Sequence, residues 1–351
     1  MQILDFLTSY QQQSKPYWQD FLKQWREKSV QSGQINQLIF DKLIEFHPQG
    51  KHFRGALAYL FYQIAGGKNT KEMLKASVAV ELLQTALLIT DDVFDNDDVR
   101  RGKPTIHRQW QQYFPAHNLD YGKSMALSTS IIVFHLIPLF LQELQFEDSF
   151  KQEALTLYCQ KTIETIWGEV LDISTPFMSF DQRKGSYANI HKYKTVAYTA
   201  VWPILFGVIL SGNKDGVFRQ KVEQMAEIIG QIFQIQDDIL GTFGEEHKTG
   251  KANDSDIKDA RWTVLVEYFF SKANEADYHQ FKTIYEQEEI DDNDVKIVKE
   301  LFLKYQIKKL AEEKNQKLRQ QGLSLIPQIT DNFDYQQTLK NLLDYLINRE
   351  K

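Results

Sequence analysis

The stretch ASVAVELLQTALLITDDVFD (76–95) decides the fold. Apolar residues recur along it at helical spacing, neither Gly nor Pro interrupts it, and it ends in carboxylates. KVEQMAEIIGQIFQIQDDILGTFG (221–244) repeats the plan: a long apolar helix running into paired Asp and then Gly. Only 8 Pro and 17 Gly occur in 351 residues, which leaves room for long helices. Short alternating strands joined by Asn-Gly turns are missing, so a β-rich fold is not expected. The charged, periodic segment 291–321 reads as a solvated outer helix. Breaks are expected at HPQGK (47–51), RRGKPT (100–105), TPFMSFDQRKGS (175–186), LSGNKDG (210–216) and FGEEHKTGKANDSD (243–256). No Gly/Ser linker separates these parts, so 1–351 is expected to be one all-α domain, a single large helical bundle of about ten or more helices.

Composition narrows the function. Hydrophobic residues make up 42% and charged residues 25%, which excludes a disordered chain or a disulfide scaffold. A net charge of -6 argues against general nucleic-acid binding. The lone Cys159, in LTLYCQKTIETIW, is expected to be a buried packing residue. One cysteine forms no internal disulfide, and MQILDFLTSYQQQ lacks a basic n-region and an apolar h-region. A cytoplasmic location is therefore expected. ALSTSIIVFHLIPLFL (126–141) falls short of the ~18–20 apolar residues of a spanning helix. It is expected to be a buried core helix, with no transmembrane segment in the chain.

Three groups of residues carry chemistry. Asp91 and Asp95 stand at i, i+4 on one helix face, with Asp92 beside them. Such like charges repel, and a divalent cation between them relieves the repulsion. Oxygen-only ligands select a hard ion such as Mg²⁺. A solvated acidic helix end is the alternative. The second group is Asp237 and Asp238, preceded by Phe233-Gln234. An apolar shaft with carboxylates at its mouth suits a molecule with a diphosphate head and a hydrocarbon tail. The third group is the cations Lys51, Arg54, Arg100, Arg101, Lys194, Lys251 and Arg261, near expected breaks or helix ends. Scattered basic residues are ordinarily surface solubilisers. Alongside two acidic clusters they point to a phosphate site.

These residues resemble the trans-isoprenyl diphosphate synthases, the polyprenyl synthetase family. ELLQTALLITDDVFDNDDVRRGKPTIH is similar to the family's first aspartate-rich motif, and FQIQDDILGTFGEEHKTGKANDSDI to the second. GKHFRGAL, GEVLDI (168–173) and YANIHKYKT (187–195) resemble three further blocks, in family order. The resemblance implies a helical bundle around a central apolar cavity, a homodimer, and head-to-tail 1'-4 condensation of an allylic diphosphate with isopentenyl diphosphate. It implies Mg²⁺, about three ions per site, held by Asp91, Asp92, Asp95, Asp237 and Asp238. Lys51, Arg54, Gln84 and Arg101 would hold isopentenyl diphosphate. Arg100, Lys194, Lys251 and Arg261 would hold the allylic diphosphate. Thr195 and Gln234 would offer oxygen dipoles to the developing allylic cation.

The chain departs from the family pattern at Gly55 for Pro, Glu169 for Gln, Arg261 for Lys and Gly241 for the third Asp of the second motif. Ser128–Ser130 stands where many relatives have Gly-Asp. Product length follows from the shaft floor. An aromatic five positions before the first Asp stops family members at fifteen carbons, and here that position is Ala86, followed by Leu87. Leu83 or a facing helix would supply the floor. Geranylgeranyl diphosphate (C20) is the expected product, with a longer polyprenyl or farnesyl diphosphate as alternatives. Two rival readings are a non-catalytic subunit of a heteromeric synthase and a terpene cyclase. A cyclase binds no isopentenyl diphosphate and would leave Lys51, Arg54 and Arg101 without a role.

Overall fold

The computed structural model describes residues 3–47, 50–114, 118–244 and 254–349. They are helical almost throughout, with one short hairpin, Val99–Arg100 against Lys103–Pro104. The all-α expectation holds. The chain divides into two compact units: Met1–Tyr158 with Pro203–Asp215, and Cys159–Trp202 with Gly216–Lys351.

In the first unit the deciding stretch forms the helix Val78–Phe94. It starts two residues later than the apolar run because Ser77 ends the preceding helix, Thr70–Ala76, by donating its hydroxyl to the Leu74 carbonyl (2.8 Å). Val78, Ala79, Leu82, Leu83, Ala86, Ile89 and Val93 are buried, and the helix packs on Leu119–Gln142. Each buried Leu or Ile contributes about 1.5–3 kcal/mol, which outweighs any difference in helix propensity. The accessible face carries Gln84, Leu87, Leu88 and Asp91 at helical spacing. A Cβ on Gly122 would stand 2.3 Å from the His107 carbonyl oxygen, so glycine permits Leu119–Gln142 to approach Ile106–Gln111 closely.

The apolar run 126–141 lies inside a helix of 24 residues, and its most apolar window is only 44% buried. Ile131 and Leu139 are exposed, so it is not the fully buried core helix expected. Its length also exceeds the apolar run on which the sequence argument rested. Among the described residues, three helical stretches are long and apolar enough to cross a membrane by length and composition: Thr70–Phe94, Leu119–Gln142 and Ser186–Leu210.

In the second unit Gly216–Phe243 packs against Ile307–Ile329, Phe333–Asn348 and the segment His191–Val201. That segment is π-helical over eleven residues. A wider helical turn of this kind is uncommon and occurs most often at functional sites. Two glycines let neighbours reach it: a Cβ on Gly168 would stand 2.1 Å from the Lys194 backbone nitrogen, and one on Gly230 would stand 2.9 Å from Val196 Cγ1.

Two expectations change here. Segment 291–321 is not one helix but parts of two, Asp292–Lys304 and Ile307–Ile329. Gln306 breaks them in a left-handed conformation (φ +54°), with no glycine in the sequence to announce it. Cys159 is exposed rather than buried. In the helix Asp148–Ser174, Ala154, Tyr158, Thr165 and Glu169 turn inward, while Cys159, Ile163, Trp167, Val170 and Ile173 form an outward stripe. Apolar residues on both sides of one helix hide which side is the core.

Candidate active site

The first acidic cluster ends the helix Val78–Phe94. Asp92 is 1% exposed, and its Oδ1 accepts from Arg100 Nε, while its Oδ2 has no hydrogen-bond partner. Arg100 also reaches Asp91 (3.2 Å) and Asp97 (3.5 Å). The hairpin after the helix makes this possible. Its two central residues, Arg101 (φ +54°) and Gly102 (φ +76°), both have positive φ, as a type I′ turn requires, so the chain folds Arg100 back onto the carboxylates. Burial pushes the Asp92 carboxyl up to about 7; Arg100 opposes this, and the carboxylates of Asp91 and Asp97 add to it. Asp95 caps the helix, its N–H donating to the Asp91 carbonyl (2.8 Å).

Beside this cluster lie the cations expected at isopentenyl diphosphate. Lys51 is exposed and Arg54 half-buried in the first turn of Phe53–Ile64. The Arg101 guanidinium lies against Gly50, 3.2 Å from where a Cβ would stand. His52, next to Lys51, and Arg101 itself both hold left-handed backbone, which costs a non-glycine residue roughly 1–2 kcal/mol. Strain of that kind concentrates at functional sites. The Gln84 side-chain oxygen is buried without a partner on the same helix face as Asp91. The Gly55 departure has a structural reason. Its N–H donates to Glu81 Oε1 (2.6 Å), which proline could not do, and a Cβ would stand 2.1 Å from the Tyr10 hydroxyl.

Ala86 and Leu83 have no accessible surface, and Leu87 is half-buried. Helix Leu119–Gln142 covers Ala86: Ser130 Oγ donates to the Ala86 carbonyl (2.9 Å), as does Thr90 Oγ1 (2.9 Å).

The second cluster lies in the other unit. Asp237 is paired with Arg349, whose guanidinium also donates to the Phe233 carbonyl (2.7 Å) and lies 4.0 Å over the Phe233 ring. Asp238 is buried, and accepts from the Val264 N–H (2.9 Å) and from Gln234 Nε2 (2.7 Å). Burial raises its carboxyl well above the usual range. A Cβ on Gly241 would stand 2.3 Å from Asp256 Oδ2. The Asp256 carboxylate therefore fills the volume that the missing third Asp of this motif would need. Arg261 lies within 3.9 Å of Asp256 and 3.3 Å of Asp259. Lys194, in the π-helical segment, donates to Glu169 Oε1 (3.1 Å) and Asp172 Oδ2 (2.6 Å), so Glu169 acts as an ionic partner. Thr195 follows it, half-buried. Lys251 lies outside the described residues.

Sequence reasoning gave no role in the site to Arg349, Asp256, Asp172 and Asp97. Arg349 is 112 positions from its partner, and nothing in the local sequence pairs it with Asp237. Asp256 could have been sought once Gly241 was noticed. Among the described residues no three His, Cys, Asp or Glu side chains converge to enclose a metal by themselves. Mg²⁺ typically takes only one or two protein carboxylates and completes its shell with water and substrate phosphates. Buried Asp92 with one unpartnered oxygen, beside Asp91, is a donor set of that open type.

The family model of polyprenyl synthetase matches residues 36–302. A geranylgeranyl diphosphate synthase from Saccharolobus solfataricus is 28% identical, over 87% of this chain and 88% of that protein. A short chain isoprenyl diphosphate synthase from Methanocaldococcus jannaschii is 28% identical, over 70% of each. The crystal structure of geranylgeranyl pyrophosphate synthase from Corynebacterium glutamicum, complexed with isoprenyl diphosphate and magnesium, superposes with a TM-score of 0.87 at 21% identity, covering 99% of this chain and 100% of that one. That likeness concerns the fold. The family model's span over most of the chain, with both aspartate motifs inside it, shows that the chain belongs to the polyprenyl synthetase family and is a trans-prenyltransferase.

Proposed function

We propose that this chain condenses an allylic diphosphate with isopentenyl diphosphate head-to-tail, and that its principal product is geranylgeranyl diphosphate. The observation that carries the reading is the state of its helix-end carboxylates. Asp92 is buried against Arg100 with one oxygen unpartnered, and Asp237 is paired with Arg349. Carboxylates held against arginine at the ends of long apolar helices suit the head of a prenyl diphosphate. Mg²⁺ bound by Asp91, Asp92, Asp95, Asp237 and Asp238 would supply charge for the leaving diphosphate. The chain's own residues do the rest. Lys51, Arg54, Arg101 and Gln84 bind isopentenyl diphosphate. Arg100, Lys194, Lys251 and Arg261 bind the allylic diphosphate where negative charge grows on departure. Thr195 and Gln234 turn oxygen dipoles toward the allylic cation. Apolar side chains around the hydrocarbon tail would keep water from the cation. Chain length is read from Ala86, Leu87 and Leu83; Leu87 is the one of the three with accessible surface, and the small residue at 86 favours a product beyond fifteen carbons.

A single catalytic domain over 1–351, a cytoplasmic location without a membrane span, and a homodimer belong to the same proposal. The dimer draws support from the outward stripe Ile163, Trp167, Val170 and Ile173, exposed large apolar residues that follow one another along one helix.

The test is an incubation with Mg²⁺, isopentenyl diphosphate and each of dimethylallyl, geranyl and farnesyl diphosphate, followed by dephosphorylation and mass analysis. A linear C20 alcohol is expected. A ladder beyond C25 would reject the length, and no elongation from any primer would reject the condensation. Hydrocarbon from the allylic substrate alone would indicate a cyclase.

A further inference from the structure

The segment matched by the family model begins at residue 36, yet two side chains from the first helix, Ile3–Ser29, reach the loop that carries Lys51 and Arg54. Gln11 Nε2 donates to the Gly50 carbonyl at 2.6 Å, directly before Lys51. Tyr10, 1% exposed, puts its hydroxyl against the first turn of Phe53–Ile64, in the space that a side chain on Gly55 would need. The same hydroxyl donates to Ser77 Oγ (2.7 Å), which fixes it to the residue that begins the helix leading to Asp91. Between these two anchors the backbone holds Lys51 and the left-handed His52. On its other side Gly50 faces the Arg101 guanidinium.

We infer that Tyr10 and Gln11 are positioning residues for Lys51, Arg54 and Arg101, and so set the affinity for isopentenyl diphosphate from outside the matched segment. The inference rests on the reading of that loop given under the proposed function. Gln11 fixes the carbonyl on which the direction of the next residue depends, and Tyr10 fixes the helix start that aims Arg54. Among the described residues neither touches Arg100, Lys194 or Arg261, so the two substrates should respond differently.

The experiment measures steady-state kinetics and thermal unfolding of the full chain and its Gln11→Leu and Tyr10→Phe variants. Isothermal titration of isopentenyl diphosphate alone accompanies them. Loss of one hydrogen bond predicts a rise of about threefold to tenfold in KM and Kd for isopentenyl diphosphate. KM for the allylic diphosphate and kcat should stay within about twofold. Both KM values moving together, or neither moving in Gln11→Leu, would overturn the inference. Gln11→Leu decides the matter even where Tyr10→Phe unfolds. Wild-type protein that neither binds nor condenses isopentenyl diphosphate would instead overturn the reading of the loop, and the inference with it.

Discussion

Asp92 shows how one residue couples stability to ligand. Its carboxyl is buried, and burial lifts its pKa to about 7 although Arg100 favours the charged form. The folded, metal-free protein then retains a proton that the unfolded chain releases near the ordinary carboxylate value. The resulting stabilisation is fully present below that ordinary value and is lost as pH rises toward 7. In EDTA the part of the stability that Asp92 contributes should therefore fall as pH rises toward about 7, and the difference between the wild-type and Asp92→Asn melting profiles should change over that range. A wild-type profile unchanged by Asp92→Asn would show that the carboxyl titrates elsewhere. Gly241 gives a second test at this scale. Asp256 Oδ2 stands 2.3 Å from where a Cβ would be, so restoring the family's aspartate by Gly241→Asp adds a clash and a like charge. The cost should be about 1–3 kcal/mol by denaturant unfolding. Asp256→Gly in the same chain should recover most of it, and purely additive effects would show that the two positions do not compete.

At the scale of an element, the π-helical segment His191–Val201 matters because it carries Lys194 and Thr195. Its place depends on Gly168, where a Cβ would meet the Lys194 backbone nitrogen at 2.1 Å. A rigid backbone cannot yield to a methyl group as a flexible side chain can. Gly168→Ala should destabilise the protein by about 1–3 kcal/mol despite its better helix propensity. It should also lower kcat, because Lys194 loses its registry with Glu169 and Asp172. Calorimetry and product assays check both. An unchanged melting temperature would mean that the helix Asp148–Ser174 and the π-helical segment separate at little cost. The helical period and the five ordered blocks were legible in sequence because each is local. The π-helical turn was not, since nothing in HKYKTVAYTAV departs from an ordinary helical pattern. The break at Gln306 was hidden for a similar reason: its left-handed backbone is held by packing, with buried Phe302 and Ile307 on either side.

At the scale of the whole molecule, sequence patterns place the acidic clusters at helix ends but do not reveal their partners. The first cluster's partner, Arg100, lies eight positions beyond Asp92, within reach of a motif. The second cluster's partner, Arg349, comes from the far end of the chain, and Tyr10 meets Ser77 across 67 positions. Exposure is equally hidden. Cys159, in LTLYCQKTIETIW, reads as a buried packing residue, yet it faces outward with Ile163, Trp167, Val170 and Ile173 along one helix. Trp167 is 58% and Val170 56% exposed, which is costly to leave in water. A second copy of the chain covering this stripe would bury both. Trp167→Glu should then shift the protein from dimer to monomer in light scattering at micromolar concentration. Cys159, the chain's one cysteine, supplies an independent readout because it lies one turn from Ile163 on the same stripe. Its thiol should react with a disulfide reagent several-fold faster in Trp167→Glu than in the wild type. A monomeric wild type whose thiol reacts at the variant's rate would mean that the stripe stays uncovered, and the homodimer would fall with it.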